Sequence, residues 1–341
     1  MGADDPTMLA GRPEWLAHRH DPLTDTIWYR RVTRGEHGKA VFLTDEYLGP
    51  AATVEKVDRQ AALAANASPA PLHWIFHSAF CCSTLAARAF DMPGISMALK
   101  EPLILQDVVG WRRRGGEPRE IARLLDNAGT LLAKPFEPGE AVIVKPSNIL
   151  NPLAAAALAL KPASRALLMV APLETFLTSV AKKGMWCRLW ARELVVGQLK
   201  DGVIDLGFTG EDYLRHTDLQ CAAVGWLAQH KLFHDLCARF GPDRVKTIDS
   251  QLFLARPADA LAAAMDLFGL APGAQRLSET VAATFSRHSK WGEAYDRETR
   301  TREHDAVAAA HAEEIEKTAA WARAVADHAG IDLTLPAPLL D

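Results

Sequence analysis

The sequence predicts an α/β protein built on a mostly parallel central sheet with helices on both faces. Three observations predict it. Short apolar runs recur beyond residue 71, at 72–77, 141–144, 166–170 and 245–248. The first three are apolar runs rather than alternating patterns, as expected of strands buried on both faces. Each is followed, after a turn bearing Pro or small polar residues, by a segment with helical periodicity, the interleaving that produces parallel sheets.

The elements follow in order. Residues 1–70 read as an N-terminal extension. Within it, 26–32 and 39–44 are strand-like and flank the turn-forming stretch Arg34-Gly35-Glu36-His37-Gly38, which predicts a β-hairpin. Alanines predict a short helix at 59–66, and Ser68-Pro69-Ala70-Pro71 then breaks the chain. Residues 71–341 form the α/β domain. A strand at 72–77 leads into a helix at 83–91, and a third strand at 166–170 is followed by a helix through Lys182. The stretch 252–268 has the helical period, with Pro257 as an N-terminal turn and Gly269 as the stop. The tail from 302 to 328 is alanine-rich, charged and helical, a solvated face.

Bulk properties exclude several classes. Of the 341 residues, 49% are hydrophobic and 23% charged, which is globular rather than disordered composition. A formal net charge of -4 gives no electrostatic ground for binding nucleic acid or an anionic membrane. The opening MGADDPTML lacks the basic start and apolar run of a secretory signal, and no stretch reaches the roughly 20 apolar residues of a membrane span. The five cysteines, at 81, 82, 187, 221 and 237, make neither an even disulfide set nor a CxxC zinc pattern. Free thiols in a reducing cytoplasm are expected. His18-Arg19-His20 offers no metal spacing with a third ligand, and Trp111-Arg-Arg-Arg-Gly-Gly116 reads as a surface loop.

The strongest chemical signal is WIFHSAFCCSTLAAR at 74–88. An apolar strand enters a tight turn of small residues that opens a helix at Ser83-Thr84. Unpaired amides and the positive end of the helix dipole suit a phosphate there, and two hydroxyls stand at the mouth. It is no Walker A loop, since GxxxxGK[ST] is missing. The same residues also read as an ordinary strand-helix turn capped by Ser83.

This segment resembles the 5′-phosphosulfate loop of the sulfotransferase family, [KR]-S-G-[ST]-T. Phe80-Cys81-Cys82-Ser83-Thr84 keeps the hydroxyls, with Cys82 in place of the glycine and Phe80 in place of the basic residue. The resemblance spans roughly 72–295 and recurs at separate points. KTIDSQLFLARPADAL from Lys246, followed by Leu267-Phe-Gly-Leu, is similar to the family's late strand-loop-helix. Leu99-Lys-Glu-Pro-Leu-Ile-Leu105 sits where the tyrosylprotein branch carries its catalytic glutamate. Val142-Ile-Val-Lys145-Pro-Ser147 resembles the strand ending in Lys-[DT]-P. LLMVAPLETFLTS at 167–179 aligns with the 3′-phosphate strand and helix; Ser179 matches the family serine and Ala171 takes the place of its arginine. Phe285-Ser-Arg-His-Ser-Lys290 is similar to the late basic loop.

The resemblance implies a P-loop nucleoside-triphosphate-hydrolase-like core and 3′-phosphoadenosine 5′-phosphosulfate (PAPS) as sulfuryl donor, with no metal. It implies a small-molecule or peptide acceptor presenting a hydroxyl or amine. Glu101 becomes the general base and Lys145 the group that stabilises developing charge. Donor contacts fall on Phe80, Cys81, Cys82, Ser83, Thr84 and Ser179. Lys145 is the substitute for the basic residue missing at position 80, a displaced basic cluster of Lys182, Lys183, Arg188 and Arg192 is placed to replace the arginine missing at Ala171, and Arg287 and Lys290 are candidates for the donor phosphates. Two other readings stay open: a nucleotide-binding regulatory protein that kept the fold and lost catalysis, and a phosphotransferase. Glu101 also reads as a structural partner for Lys100 or Arg88. Neither the acceptor nor the oligomeric state is legible.

Overall fold

The computed structural model describes residues 6–285 and 309–340. Three N-terminal strands, β1 (Trp15–Asp21), β2 (Thr26–Arg31) and β3 (Val54–Asp58), form an antiparallel sheet in the order β1-β2-β3. Five further strands, β4 (Leu72–His77), β5 (Ser96–Lys100), β6 (Ala141–Lys145), β7 (Ala166–Val170) and β8 (Val245–Asp249), form a second sheet in the order β5-β6-β4-β7-β8. Both β4 and β5 run parallel to β6. Every residue of β4, β5, β6 and β7 is buried, so both faces of these strands are covered, and helices separate them along the chain. The expected α/β class with a mostly parallel sheet is the observed one.

The N-terminal hairpin exists, but with different strands. β2 pairs with Trp15–Asp21 and Val54–Asp58, while Arg34–Lys39 is a helix and 40–44 is not a strand. Thr33-x-x-Glu36 closes a capping box: the Thr33 hydroxyl accepts from the Glu36 amide at 3.3 Å, and the Glu36 carboxylate accepts from the Thr33 amide at 2.7 Å. That box outweighs the turn propensity of the two glycines. β5 escaped the sequence reading because Ser-Met-Ala-Leu-Lys, between Gly94 and Pro102, carries no β-branched residue. The expected helix over 252–268 is two, Ser250–Ala255 and Pro257–Phe268, because a residue preceding proline disfavours the helical region. Residues 111–113 are the last turn of the helix Leu103–Arg113, not a loop. The C-terminal helix spans Ala312–Ala329, and the remainder of the expected stretch lies partly outside the described residues.

The chain divides into two compact units. The first takes 1–76, 84–166 and 265–284 and holds the antiparallel sheet with β5, β6 and most of β4. Lys134 ties its N-terminal segment down: buried, it donates to the carbonyls of Ala10 (2.7 Å) and Trp15 (2.8 Å) and lies over the Tyr29 ring. The second takes 77–83, 167–264 and 285–341. Its long helices Gly184–Lys200 and Asp218–Phe240 cross at Gly225, where an added Cβ would approach Gln198 and Val195 at 3.3 Å. Thr217 caps the second of these with another capping box. The edge strand β8 is covered by the C-terminal segment, through Thr247 N–H to Ala337 O (2.9 Å) and Leu339 N–H to Thr247 O (2.8 Å).

Candidate functional site

In the first unit, parallel pairing brings two sequence-distant residues together. β5 and β6 align Lys100 with Lys145, so the residue after β5, Glu101, falls beside the end of β6. The Glu101 amide donates to the Lys145 carbonyl at 2.7 Å, and the Lys145 ammonium forms an ion pair with Glu101 Oε1. Lys145 is 1% and Glu101 15% exposed at the side chain, so the carboxylate carries what solvent access the pair has. The carboxyl ends of parallel strands are where open α/β sheets place ligands. Glu101 also has a left-handed backbone, φ 52°, which a non-glycine residue keeps only when its surroundings enforce it.

The partner of Glu101 is therefore Lys145 rather than Lys100 or Arg88. Lys100 is buried and donates to the Gly38 carbonyl at 3.0 Å. Burial pushes it down to about 7; the Arg88 charge acts in the same direction and Asp91 opposes. The segment 40–44, misread as a strand, supplies what the sequence reading missed. Leu43 N–H bonds to Lys100 O (2.7 Å) and Leu103 N–H to Leu43 O (3.3 Å), which holds this segment along the end of β5. Phe42 thereby places its ring centroid 5.0 Å from the Lys145 ammonium, and Tyr47 meets Phe42 edge-on at 5.1 Å. Burial raises the Tyr47 phenol, and the charges of Glu46 and Glu101 add to it. No local motif marks Phe42 or Tyr47.

In the second unit, the turn after β4 is a run of left-handed residues: Ala79 at φ 70°, Phe80 at 53° and Cys82 at 61°. With Glu101, these make four of the six described non-glycine residues at positive φ, gathered in two of the segments singled out for chemistry. Cys82 thus holds a glycine-type conformation where the resembled motif has glycine. The turn is anchored by the Ala79 amide donating to His77 Nδ1 (3.1 Å), the Ala171 amide to Ser78 Oγ (3.2 Å) and Gln229 Nε2 to Ser78 O (3.3 Å). Cys81 is buried, Ala79, Phe80 and Cys82 are half-buried, and Ser83 and Thr84 are 5% and 6% exposed. The mouth is narrower than the sequence suggests.

Phe80 and Ala171, which stand where the resembled motifs carry cations, are both packed against aromatic side chains. Phe80 packs against Phe176 (5.7 Å) and Trp190 (5.4 Å), and the Lys183 ammonium stands 5.8 Å from the Phe80 centroid. Ala171 is fully buried, and its carbonyl accepts from the Trp226 indole at 2.8 Å. Lys182 and Lys183 are exposed. Arg188 is engaged bidentately by Glu314 at 3.0 Å, and Arg192 by Asp218 at 2.5 Å and the His216 carbonyl at 2.8 Å. Ser179 donates to Thr175 O within its own helix at 2.8 Å. Arg287 and Lys290 lie outside the described residues. All five cysteines are free thiols. Among the described residues, no group of three or more His, Cys, Asp and Glu is disposed to hold a metal ion, and no helix is long and apolar enough to cross a membrane.

No protein-family model matches the chain, and no curated protein does. Among solved structures it is similar to a sulfotransferase domain from the curacin biosynthetic pathway, at 14% identity and a TM-score of 0.44, over 66% of this chain and 81% of that one. It is also similar to the sulfotransferase STF9 from Mycobacterium avium, at 11% identity and a TM-score of 0.42, over 73% of this chain and 77% of that one.

Proposed function

We propose that the protein transfers a sulfuryl group from PAPS to a hydroxyl or amine acceptor, with Glu101 as general base and Lys145 as the electrostatic partner. The observation that carries this reading is the buried Glu101–Lys145 pair at the carboxyl ends of two adjacent parallel strands, held by a strained backbone. A proton acceptor and a fixed cation are the two groups that displacement at sulfur needs. The acceptor's lone pair forms the new bond to sulfur, and its proton passes to the Glu101 carboxylate. The sulfur–oxygen bond to the donor's 5′-phosphate breaks, and its electron pair leaves on adenosine 3′,5′-bisphosphate. The Lys145 ammonium stabilises negative charge as that bond breaks. The turn at 79–82 with Ser83 and Thr84 is assigned to the donor's 5′ end, with the Lys183 ammonium, 5.8 Å from the Phe80 ring, as its cation; Ser179 and Lys182 are assigned to its 3′-phosphate.

One observation favours a second reading, a nucleotide-binding protein without turnover: an aromatic cluster and a buried alanine occupy the positions of two family cations. Calorimetry with adenosine 3′,5′-bisphosphate and a transfer assay with radiolabelled donor separate the two. Saturable binding, with turnover falling about 10²- to 10⁴-fold in Glu101→Gln while binding is kept, is the result expected of the transferase. Binding without turnover in a broad acceptor screen supports the second reading. No binding up to millimolar nucleotide removes both.

A further inference from the structure

The first compact unit carries a pocket of about 260 Å³ whose lining includes Arg31, Lys39 and Tyr47. It falls just under the roughly 300–1,000 Å³ of whole small-molecule sites, so it suits one end of a ligand rather than all of it. Three segments converge there. β2 ends with Arg30 and Arg31, whose side chains leave opposite faces of the strand: Arg30 is buried and Arg31 exposed. The capped helix Arg34–Lys39 contributes its last residue, and the short helix Asp45–Leu48 contributes Tyr47. Tyr47 also connects the pocket to the Glu101–Lys145 pair. Its ring meets Phe42 at 5.1 Å, and the Phe42 ring lies 5.0 Å from the Lys145 ammonium. The phenol is raised by burial first and then by Glu46 and Glu101, so the Glu101 charge is felt at the pocket wall.

The lining is net positive: Arg30, Arg31 and Lys39 stand against the one carboxylate of Glu36. Two of these four groups are matched within the protein. Arg30 donates to the carbonyls of Gly49 (3.1 Å) and Leu48 (3.2 Å) and stands 3.5 Å from Asp45. The Glu36 carboxylate accepts from the amide and the hydroxyl of Thr33, both at 2.7 Å, which holds it below the ordinary glutamate range. Arg31 and Lys39 are different. Both are exposed, and neither has an ion pair or a side-chain hydrogen bond among the described residues. Their donors are accessible, so an incoming anion can meet them without displacing an internal partner.

We propose that this pocket anchors the acceptor, and that the acceptor is a small molecule bearing a carboxylate or comparable anionic group, held by Arg31 and Lys39 with its hydroxyl or amine directed to Glu101. The role of the second end rests on the group-transfer reading of Glu101; the anion subsite itself does not. Arg31 and Lys39 are then specificity-determining residues, and a cationic acceptor is disfavoured by the same two charges.

Three probes present one phenol on chains of different charge: 3-(4-hydroxyphenyl)propionate, its neutral amide, and tyramine. Calorimetric titration of the full-length protein is expected to give saturable binding with affinity falling in that order. The acid is expected to bind roughly tenfold more weakly in Arg31→Gln and in Lys39→Gln, both checked for folding by circular dichroism. Its affinity is expected to fall with added salt and to persist under saturating adenosine 3′,5′-bisphosphate. Arg31→Glu is expected to reverse the preference toward tyramine, which a merely structural lesion does not do. With radiolabelled donor, the KM of the acid rises about tenfold in Lys39→Gln while kcat is kept. Acid binding with this variant pattern but no transfer would remove the group-transfer reading and leave the anion subsite standing. Equal affinity for acid and amide, undiminished affinity in both Gln variants, displacement of the acid by the nucleotide, or no saturable binding of the acid at millimolar concentration would overturn the proposal.

Discussion

Glu101 carries two separable stability terms, an ion pair and a strained backbone. Removing its carboxylate leaves the Lys145 ammonium buried without its counter-charge, a change that typically costs about 3–5 kcal/mol. Its φ of 52° costs an L-residue about 1–2 kcal/mol that glycine does not incur. Glu101→Ala and Glu101→Gly both lose the pair, so their difference isolates the backbone. Glu101→Gly is expected to be more stable than Glu101→Ala by about 1 kcal/mol in urea unfolding, whereas equal midpoints would mean that the backbone relaxes. Both residues of this pair were legible in the sequence as isolated candidates, Glu101 through the resemblance of its segment to a known family and Lys145 through a second such resemblance and its place at the end of an apolar strand. Their contact was not, because it spans 44 residues and depends on the register of β5, a strand hidden by its alanine and methionine. Phe42 and Tyr47 were invisible for the opposite reason. Phe42 lies in the stretch 39–44, whose apolar residues mimic a strand, Tyr47 lies in the short helix Asp45–Leu48 that follows it, and only the hydrogen bonds of Leu43 reveal what they approach.

At the scale of elements, the turn between β4 and the helix Ser83–Ala89 is set by its backbone conformation, with three non-glycine residues at positive φ. Cys82 stands in the left-handed region at φ 61°, so the thiol side chain is tolerated there rather than preferred. Cys82→Gly is expected to raise stability by about 0.5–1 kcal/mol, the relief of strain offset by the greater freedom of glycine in the unfolded chain. Cys82→Ser, which keeps a Cβ, is expected to bring no gain in the same denaturation experiment. The sequence placed this turn and its neighbouring strand correctly because both depend on local properties, apolar continuity and small polar residues. It overestimated how open the turn is, since Ser83 and Thr84 are only 5% and 6% exposed. The basic stretch 182–192 makes the same point: spacing put Arg188 in a cluster with Lys182 and Lys183, while the fold gives its guanidinium to Glu314, 126 residues away.

For the molecule as a whole, buried lysines set a pH dependence of stability. Burial lowers both Lys100 and Lys134 to about 7 from the ordinary lysine value of 10.5. Below pH 7, both groups are protonated folded and unfolded, and the penalty for burying the charge is constant. Between about 7 and 10 the unfolded chain binds more protons than the folded one, so stability rises with pH across this window. Lys134 alone contributes about 2 kcal/mol of that gain between pH 7 and 9, since a neutral amine keeps two N–H groups for Ala10 and Trp15. Chemical denaturation at the two pH values is expected to show a smaller gain in Lys134→Met than in the wild type; an unchanged gain would mean that Lys134 titrates normally. Such a lysine cannot be picked out in a sequence, where it looks like any solvated cation. What the sequence determined by itself was the α/β class and most of the strands of the larger sheet, because apolar runs are properties of short segments. Only the tertiary structure decided the pairing of Glu101 with Lys145, the aromatic neighbours of that pair and the loss of Arg188 to a distant carboxylate. Each of these is a distance between segments far apart in the chain, set by strand register and burial that no local pattern encodes.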